Sequence, residues 1–213
     1  MLNLKQMLSG EIRKASHVIR YSSIEHGRDQ NIAEHSHYVT LYALMIGRDC
    51  LQAGMKLKME KLLIDAIMHD VDEVVTGDFI RSFKYSNDEM HAMMDDMASY
   101  GCKELLQQLG VPELHKNWEH AKDTKTIEGQ IVLIADLLEV VAYCITRIKV
   151  GNQHMKTVLR GAYEKFITKM DGAVYDRYKT AIAEVVMQYV GDAPEQPMPL
   201  MDYKKELKEK SSE

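Results

Sequence analysis

Apolar residues recur at three- and four-residue intervals along nearly the whole chain, and no stretch shows the strict alternation of a half-buried strand. Prolines stand only at 112, 194, 197 and 199, so no helix breaker falls in the first half of the chain. These patterns predict an all-α protein with helices over Leu4 to Val18, Ile32 to Ala53, Met59 to Val75, Asp88 to Leu109, Glu113 to His120, Thr126 to Lys149 and Met155 to Val190. The last is expected to break near Asp171-Gly172. Residues 191–213 hold three of the four prolines and close on YKKELKEKSSE, which reads as a charged surface tail behind a single domain of residues 1–190.

The polar residues that interrupt the apolar stripes carry the chemistry. In NIAEHSHYVTLYALMIG, Asn31 is placed to cap a helix and Glu34 to reach back to the cap. Ile32, Val39, Tyr42 and Ile46 mark the buried face of that helix; His35 fills the missing step between Ile32 and Val39, while His37 is directed elsewhere. In MEKLLIDAIMHDVDEVVTGD, one stripe runs through Leu63, Ile67 and Val74 and takes in Asp70. A second runs through Leu62 and Ala66 and takes in His69 and Glu73. Asp65 and Asp72 fall off both stripes and are expected in solvent. In EGQIVLIADLLEVVAYCI, Asp136 interrupts a helix that is apolar nearly all round, so it is expected to have little access to water.

A buried carboxylate must find a cation or take up a proton, and the histidine beside it points to a metal. His35, His69, Asp70 and Asp136, on three core helices, make a mixed nitrogen and oxygen donor set suited to Mn²⁺, Co²⁺, Fe²⁺ or Zn²⁺. Positions would remain for water and a phosphate oxygen. The expected chemistry is hydrolysis: such a metal lowers the pKa of bound water and offsets phosphoryl charge, and Glu73, one turn beyond His69, moves a proton. His91, His115 and His120 lie outside this set and read as surface or helix-end histidines.

Composition narrows the classes. Charged residues at 28% and hydrophobic ones at 46% are those of a globular chain rather than a disordered one. With 27 basic against 32 acidic residues the net charge is -5, which gives no global positive field for nucleic acid or an anionic membrane. Cys50, Cys102 and Cys144 are odd in number and widely spaced, as in reduced cytoplasmic proteins. Neither a signal-like apolar segment nor a membrane-spanning one is present, and a cytoplasmic location is expected.

The order His35, His69-Asp70, Asp136 resembles the HD-domain phosphohydrolases, built on H…HD…D and named for the metal-binding pair. The likeness is nearest to their bacterial 5′-deoxynucleotidase branch, with Arg20-Tyr21 where that branch has R-W, then NIAEHS from Asn31 to Ser36, HDVDEVVTGD from His69 to Asp78, and Lys84-Tyr85. Order, spacing and context agree over roughly residues 15 to 140. The resemblance implies an HD-domain helical bundle, one divalent metal, and hydrolysis of 2′-deoxyribonucleoside 5′-monophosphates by a homodimer. Co²⁺ or Mn²⁺ is the first expectation for the metal, with Zn²⁺, Fe²⁺ or Mg²⁺ next. By position it also implies that Arg20 orients the phosphate, Glu73 acts as acid or base, and Asp78 reads the sugar 3′-hydroxyl. The substrate-facing set becomes Arg20, Tyr21, His35, Asp78, Phe79, Ile80, Arg81 and Lys84.

Departures from the branch lie around the pocket. Tyr21 replaces a tryptophan, Phe79-Ile80-Arg81 stands where Leu-Pro-Thr is frequent, and Leu133 stands where a lysine is often found. Arg81 adds a positive charge that could extend recognition to outer phosphates, as in phage HD relatives that remove three phosphates at once from dATP, so dNTP triphosphohydrolysis is the alternative expectation. A non-catalytic nucleotide-binding HD protein would be expected to have lost a ligand or the acid/base residue, and none is missing.

Overall fold

A computed structural model describes residues 2–25, 27–79 and 87–190. Among them the helices are α1 (Leu4–Leu8), α2 (Ile32–Gln52), α3 (Met59–Met68), α4 (Glu73–Thr76), α5 (Asp88–Leu109), α6 (His115–Ala121), α7 (Ile127–Lys149), α8 (Met155–Lys169) and α9 (Ala173–Val190). Short 3-10 turns occupy Ile12–Ser16 and Pro112–Leu114. The all-α expectation holds among the described residues, where the extended pairing is limited to an antiparallel bridge between Ile19 and Asn31. No helix there is long and apolar enough to cross a membrane. The tail expected over 191–213 lies outside the described residues.

Asparagines start three of the helices. The side-chain oxygens of Asn3, Asn31 and Asn87 accept from the backbone N–H groups of Gln6, Glu34 and Met90, at 3.1, 2.9 and 2.7 Å. Only half of the reciprocal cap expected at Asn31 forms, because the Glu34 carboxylate is taken by Arg28 Nη2 at 2.8 Å. The first expected helix is interrupted after Leu8, where Gly10 takes φ +93° and reverses the backbone. Gly110, at φ +79°, closes α5 in the left-handed conformation.

The chain forms two compact units, Met1–Glu139 and Val140–Glu213, with the boundary inside α7. In the first unit α2 packs along α3, and α3 along α6. A Cβ on Gly47 would stand 2.6 Å from Leu62 Cδ2, so the missing side chain is what lets α2 approach α3 this closely. Met68, Ala98, Cys102, Leu106 and Trp118 form one core cluster, and burying a side chain such as Leu106 contributes about 1.5–3 kcal/mol. All three cysteines are buried. In the second unit α8 packs on α9, with buried Phe166 between Tyr163 and Tyr175 at ring-centroid distances of 6.5 and 4.9 Å.

Two positions of the predicted buried faces move outward. Tyr42 is half-buried, with Ala43 taking the interior place, and Ile67 is 57% exposed. The stripe from Leu63 to Val74 assumed one continuous helix, whereas α3 ends at Met68 and the register restarts after a turn.

Candidate functional site

The site is built where that turn falls. His69 Nδ1–H donates to the carbonyl of Ala66 at 2.8 Å, so the ring itself occupies an acceptor of the last helical turn. From there the backbone bonds run three residues back, Val71 to Met68 at 3.2 Å and Glu73 to Asp70 at 3.1 Å. Three residues per turn stacks Glu73 above Asp70. Gly77, at φ +76°, closes α4 and turns the chain toward Asp78, whose Oδ2 accepts from the Tyr21 backbone N–H at 3.2 Å. Tyr21 itself has φ +59° and is the non-glycine with positive φ among the described residues, a strain on the order of 1–3 kcal/mol held at the site. Backbone bonds from Arg20 N to Gln30 O (2.8 Å) and from Ile32 N to Val18 O (3.1 Å) lay the Arg20 segment beside the start of α2.

Four side chains from α2, the turn after α3, and α7 converge. His35 Nε2 lies 3.3 Å from His69 Nε2, 3.3 Å from Asp70 Oδ2 and 3.4 Å from Asp136 Oδ1, and His69 Nε2 lies 3.1 Å from Asp70 Oδ2. Donor atoms of His35, His69 and Asp136 all fall within 4.8 Å of one another. Asp136 is 26% exposed at its side chain, more open than a helix apolar all round suggested, because it faces this cluster rather than the helix packing.

The donor set fits a divalent cation. His35 Nδ1–H donates to Glu139 Oε2 at 2.6 Å and His69 Nδ1–H to the Ala66 carbonyl, which leaves the lone pair of each ring on Nε2. Two lone pairs 3.3 Å apart, flanked by two carboxylates, repel unless positive charge lies between them. With no cation between them the same surroundings favour a proton on His35 Nε2: burial and Arg20 work against the charge, yet hydrogen bonds with Asp136, Asp70 and Glu139 outweigh both and push the His35 pKa up to about 10.

Around this cluster Arg20 is buried, its Nη1 donates to Asp70 Oδ2 at 3.3 Å, and its Nε has no partner among the described residues. Burial works against its charge, but Tyr21 and the carboxylates of Asp70, Glu73 and Asp136 hold it firmly protonated. Glu73 Oε2 is also buried without a partner among the described residues. Burial, then the neighbouring Asp70, pushes Glu73 well above the ordinary carboxylate range, and burial raises Asp78 against the opposing pull of Arg20. Phe79 is 37% exposed at the edge of the turn. Ile80, Arg81 and Lys84 lie outside the described residues.

Two expectations are corrected. Asp65 and Asp72 are buried rather than solvated. Asp65 pairs with Lys61 and accepts from Asn117 Nδ2 at 2.7 Å, and Asp72 accepts from Trp118 Nε1 at 2.6 Å. Partners supplied by α6 make the interior affordable for both. Glu139 and Gln30 were not foreseen. Buried Glu139 orients His35 and accepts from Gln30 Nε2 at 2.5 Å. The signal was available, since Glu139 interrupts the same apolar helix that singled out Asp136. His120 is exposed as expected, whereas His91 and His115 are half-buried, with His115 Nε2 3.3 Å from Ser99 Oγ.

A family model described as 5′-deoxynucleotidase YfbR-like matches residues 8–186. A 5′-deoxynucleotidase of Pectobacterium atrosepticum is 26% identical over 168 residues, 76% of this chain and 83% of that relative. Among solved structures, an HD-domain phosphohydrolase of Listeria innocua superposes with a TM-score of 0.68 at 16% identity, covering 90% of this chain and 100% of that one. The HD phosphohydrolase DatZ of cyanophage S-2L, bound to dA and one catalytic Zn²⁺, superposes with a TM-score of 0.58 at 20% identity, covering 84% and 95%.

Proposed function

Because the chain belongs to the YfbR-like 5′-deoxynucleotidase family and is an HD-domain hydrolase, we propose that it removes the phosphate from 2′-deoxyribonucleoside 5′-monophosphates. The observation that carries this reading is the strap joining Arg20-Tyr21 to Asp78. The Tyr21 N–H on Asp78 at 3.2 Å ties a phosphate-binding fork and a sugar-facing carboxylate together, within the length of one nucleotide, beside His35, His69 and Asp70. His35, His69, Asp70 and Asp136 would hold the metal. A divalent cation there supplies Lewis acidity, easing deprotonation of a water and offsetting charge on the phosphoryl oxygens. Co²⁺ and Mn²⁺ are the ions to assay first, with Zn²⁺ alongside.

The chain's own groups do the rest. Arg20 offers Nε and a second guanidinium nitrogen to the phosphate, a bidentate grip that Lys could not reproduce. Tyr21 provides a flat face beside it. Asp78 accepts from the sugar 3′-hydroxyl, and a site that satisfies one hydroxyl rejects a sugar that leaves a buried polar group unpaired. Glu73, stacked above Asp70, exchanges a proton with the departing 5′-oxygen. Tyr38, Leu41 and Met45 line one exposed apolar face of α2, which supports a homodimer.

The test is a panel of dNMPs, NMPs and dNTPs with phosphate and triphosphate measured as products. Deoxymonophosphates should turn over fastest. Arg20→Ala should weaken every phosphorylated substrate alike, while Asp78→Ala should lower deoxynucleotide turnover and narrow its advantage over ribonucleotides. Equal kcat/KM on AMP and dAMP would refute the sugar-reading role of Asp78. Release of triphosphate from dATP with no turnover of dAMP would replace this reading by triphosphohydrolysis.

Glu139 gives a separate prediction. Glu139→Ala removes the group that fixes the His35 tautomer and should weaken metal affinity by about 10- to 100-fold. Calorimetric titration with Mn²⁺ measures this directly, and wild-type affinity would show that His35 needs no orienting partner.

A further inference from the structure

The turn that carries His69, Asp70 and Glu73 is held from behind by a residue outside the site. Asp72 lies between Asp70 and Glu73, and its side chain turns away from the cluster into the core, where Oδ1 accepts from Trp118 Nε1 at 2.6 Å. Its carbonyl oxygen accepts from the backbone N–H groups of Val75 (2.9 Å) and Thr76 (3.0 Å) and from Thr76 Oγ1 (3.2 Å). The second half of α4, Val75 and Thr76, therefore hangs from Asp72. Trp118 is in turn held by its surroundings, with Lys122 Nζ 3.6 Å from the ring centroid and the His115 ring at 5.4 Å, and it packs in the cluster of Met68, Cys102 and Leu106. One residue earlier, Asn117 holds Asp65 on α3. Helix α6 thus grips both sides of the break at which the metal-facing residues sit.

We propose that Trp118 is a positioning residue for catalysis, setting the placement of Glu73 through its hydrogen bond to Asp72. The indole N–H has one donor direction, and the ring is buried against Lys122, His115 and the core cluster. Asp72 is therefore pinned, and the next residue is Glu73. A carboxylate that exchanges a proton with a leaving oxygen must sit within hydrogen-bond reach of it, and a displacement of about 1 Å costs on the order of 100-fold in rate. Substrate grip through Arg20 does not pass through this bond. Loss of the indole N–H should consequently act on kcat and spare KM.

The inference rests on the reading of Glu73 as the proton-exchanging group. It is tested in the metal-loaded full chain with Trp118→Phe, Asp72→Asn, Asp72→Ala and the Trp118→Phe/Asp72→Ala pair, on the nucleotide that wild type hydrolyses fastest. Trp118→Phe should lower kcat by about 10- to 100-fold with KM nearly unchanged. Asp72→Asn should keep most of the rate, because its amide oxygen still accepts from the indole. The pair should lose no more than Trp118→Phe alone, since both changes break one device. Hydrogen exchange needs no turnover and separates this idea from the choice of substrate: the amides of Glu73–Thr76 should exchange faster in Trp118→Phe while those of α2 do not. Trp118 is the only tryptophan in the chain, so its emission should shift in Asp72→Ala and stay in Asp72→Asn. A Trp118→Phe variant with unchanged kcat, additive losses in the pair, or uniform acceleration of exchange across all helices would overturn the proposal. A wild type inactive on every nucleotide, with the exchange pattern as expected, would instead refute the functional reading and leave the clamp standing.

Discussion

Replacing Glu73 with alanine is expected to cost about 10²- to 10⁴-fold in kcat, the range for a positioned acid or base, while leaving fold and metal content intact. The separation is possible because Glu73 Oε2 has no hydrogen-bond partner among the described residues, so truncation leaves no group stranded on that side. The backbone bond from Glu73 N to the Asp70 carbonyl, which shapes the turn, does not depend on the side chain. Removing a buried carboxylate next to Asp70 also relieves like-charge repulsion, so the melting temperature should hold or rise. Steady-state kinetics, metal analysis and thermal unfolding on the same preparation make the measurement. A variant with near wild-type kcat would reduce Glu73 to a structural role. A variant that has lost its metal would make it part of the metal centre instead.

Stripping the metal with a chelator is expected to abolish turnover, and Co²⁺ or Mn²⁺ should restore it. His69→Ala should prevent that restoration. The effect should exceed the roughly 100-fold upper limit typical of losing an outer partner such as Glu139, because a ligand atom itself is gone. Affinity should also fall on acidification, since protons compete for the two Nε2 lone pairs that Glu139 and the Ala66 carbonyl leave open. Metal content by elemental analysis, with activity followed in parallel, decides the matter. Full activity in chelator, or metal held on other histidines such as His91 and His120, would refute the assignment of His35, His69, Asp70 and Asp136. With a metal bound, Arg20 should remain paired with Asp70, so phosphate should still bind to the wild-type site with positive charge on two sides.

Helix existence was legible because it depends on local quantities. The absence of proline, the three-and-four spacing, and the asparagine cap at 31 act within a few residues, and α5 and α7 run as expected to within a residue. The clustered histidines and aspartates were legible for a related reason. A polar side chain inside an apolar stripe can be seen without knowing its neighbours, and His35, His69, Asp70 and Asp136 each announce themselves that way. Motif order then supplied the family. The break at His69 was not legible, because it follows from a ring nitrogen taking a backbone carbonyl, a competition that side-chain periodicity does not register.

The fates of Asp65 and Asp72 mark the division most clearly. By helical periodicity alone both belong in water, and a lone carboxylate would stay there, since burial without a partner is too costly. Their partners, Asn117 and Trp118, stand 52 and 46 residues further along the chain, and only the packing of α6 on α3 brings them within 2.7 and 2.6 Å. The left-handed backbone of Tyr21, held by Asp78 57 residues away, has the same origin. Sequence alone determined which segments are helical, which residue types share a face, and which chemistry those types permit, because each depends on neighbours within a turn or two. Tertiary structure decided which carboxylates could be buried and how Tyr21 meets Asp78, because each depends on a partner that comes near only when the helices pack.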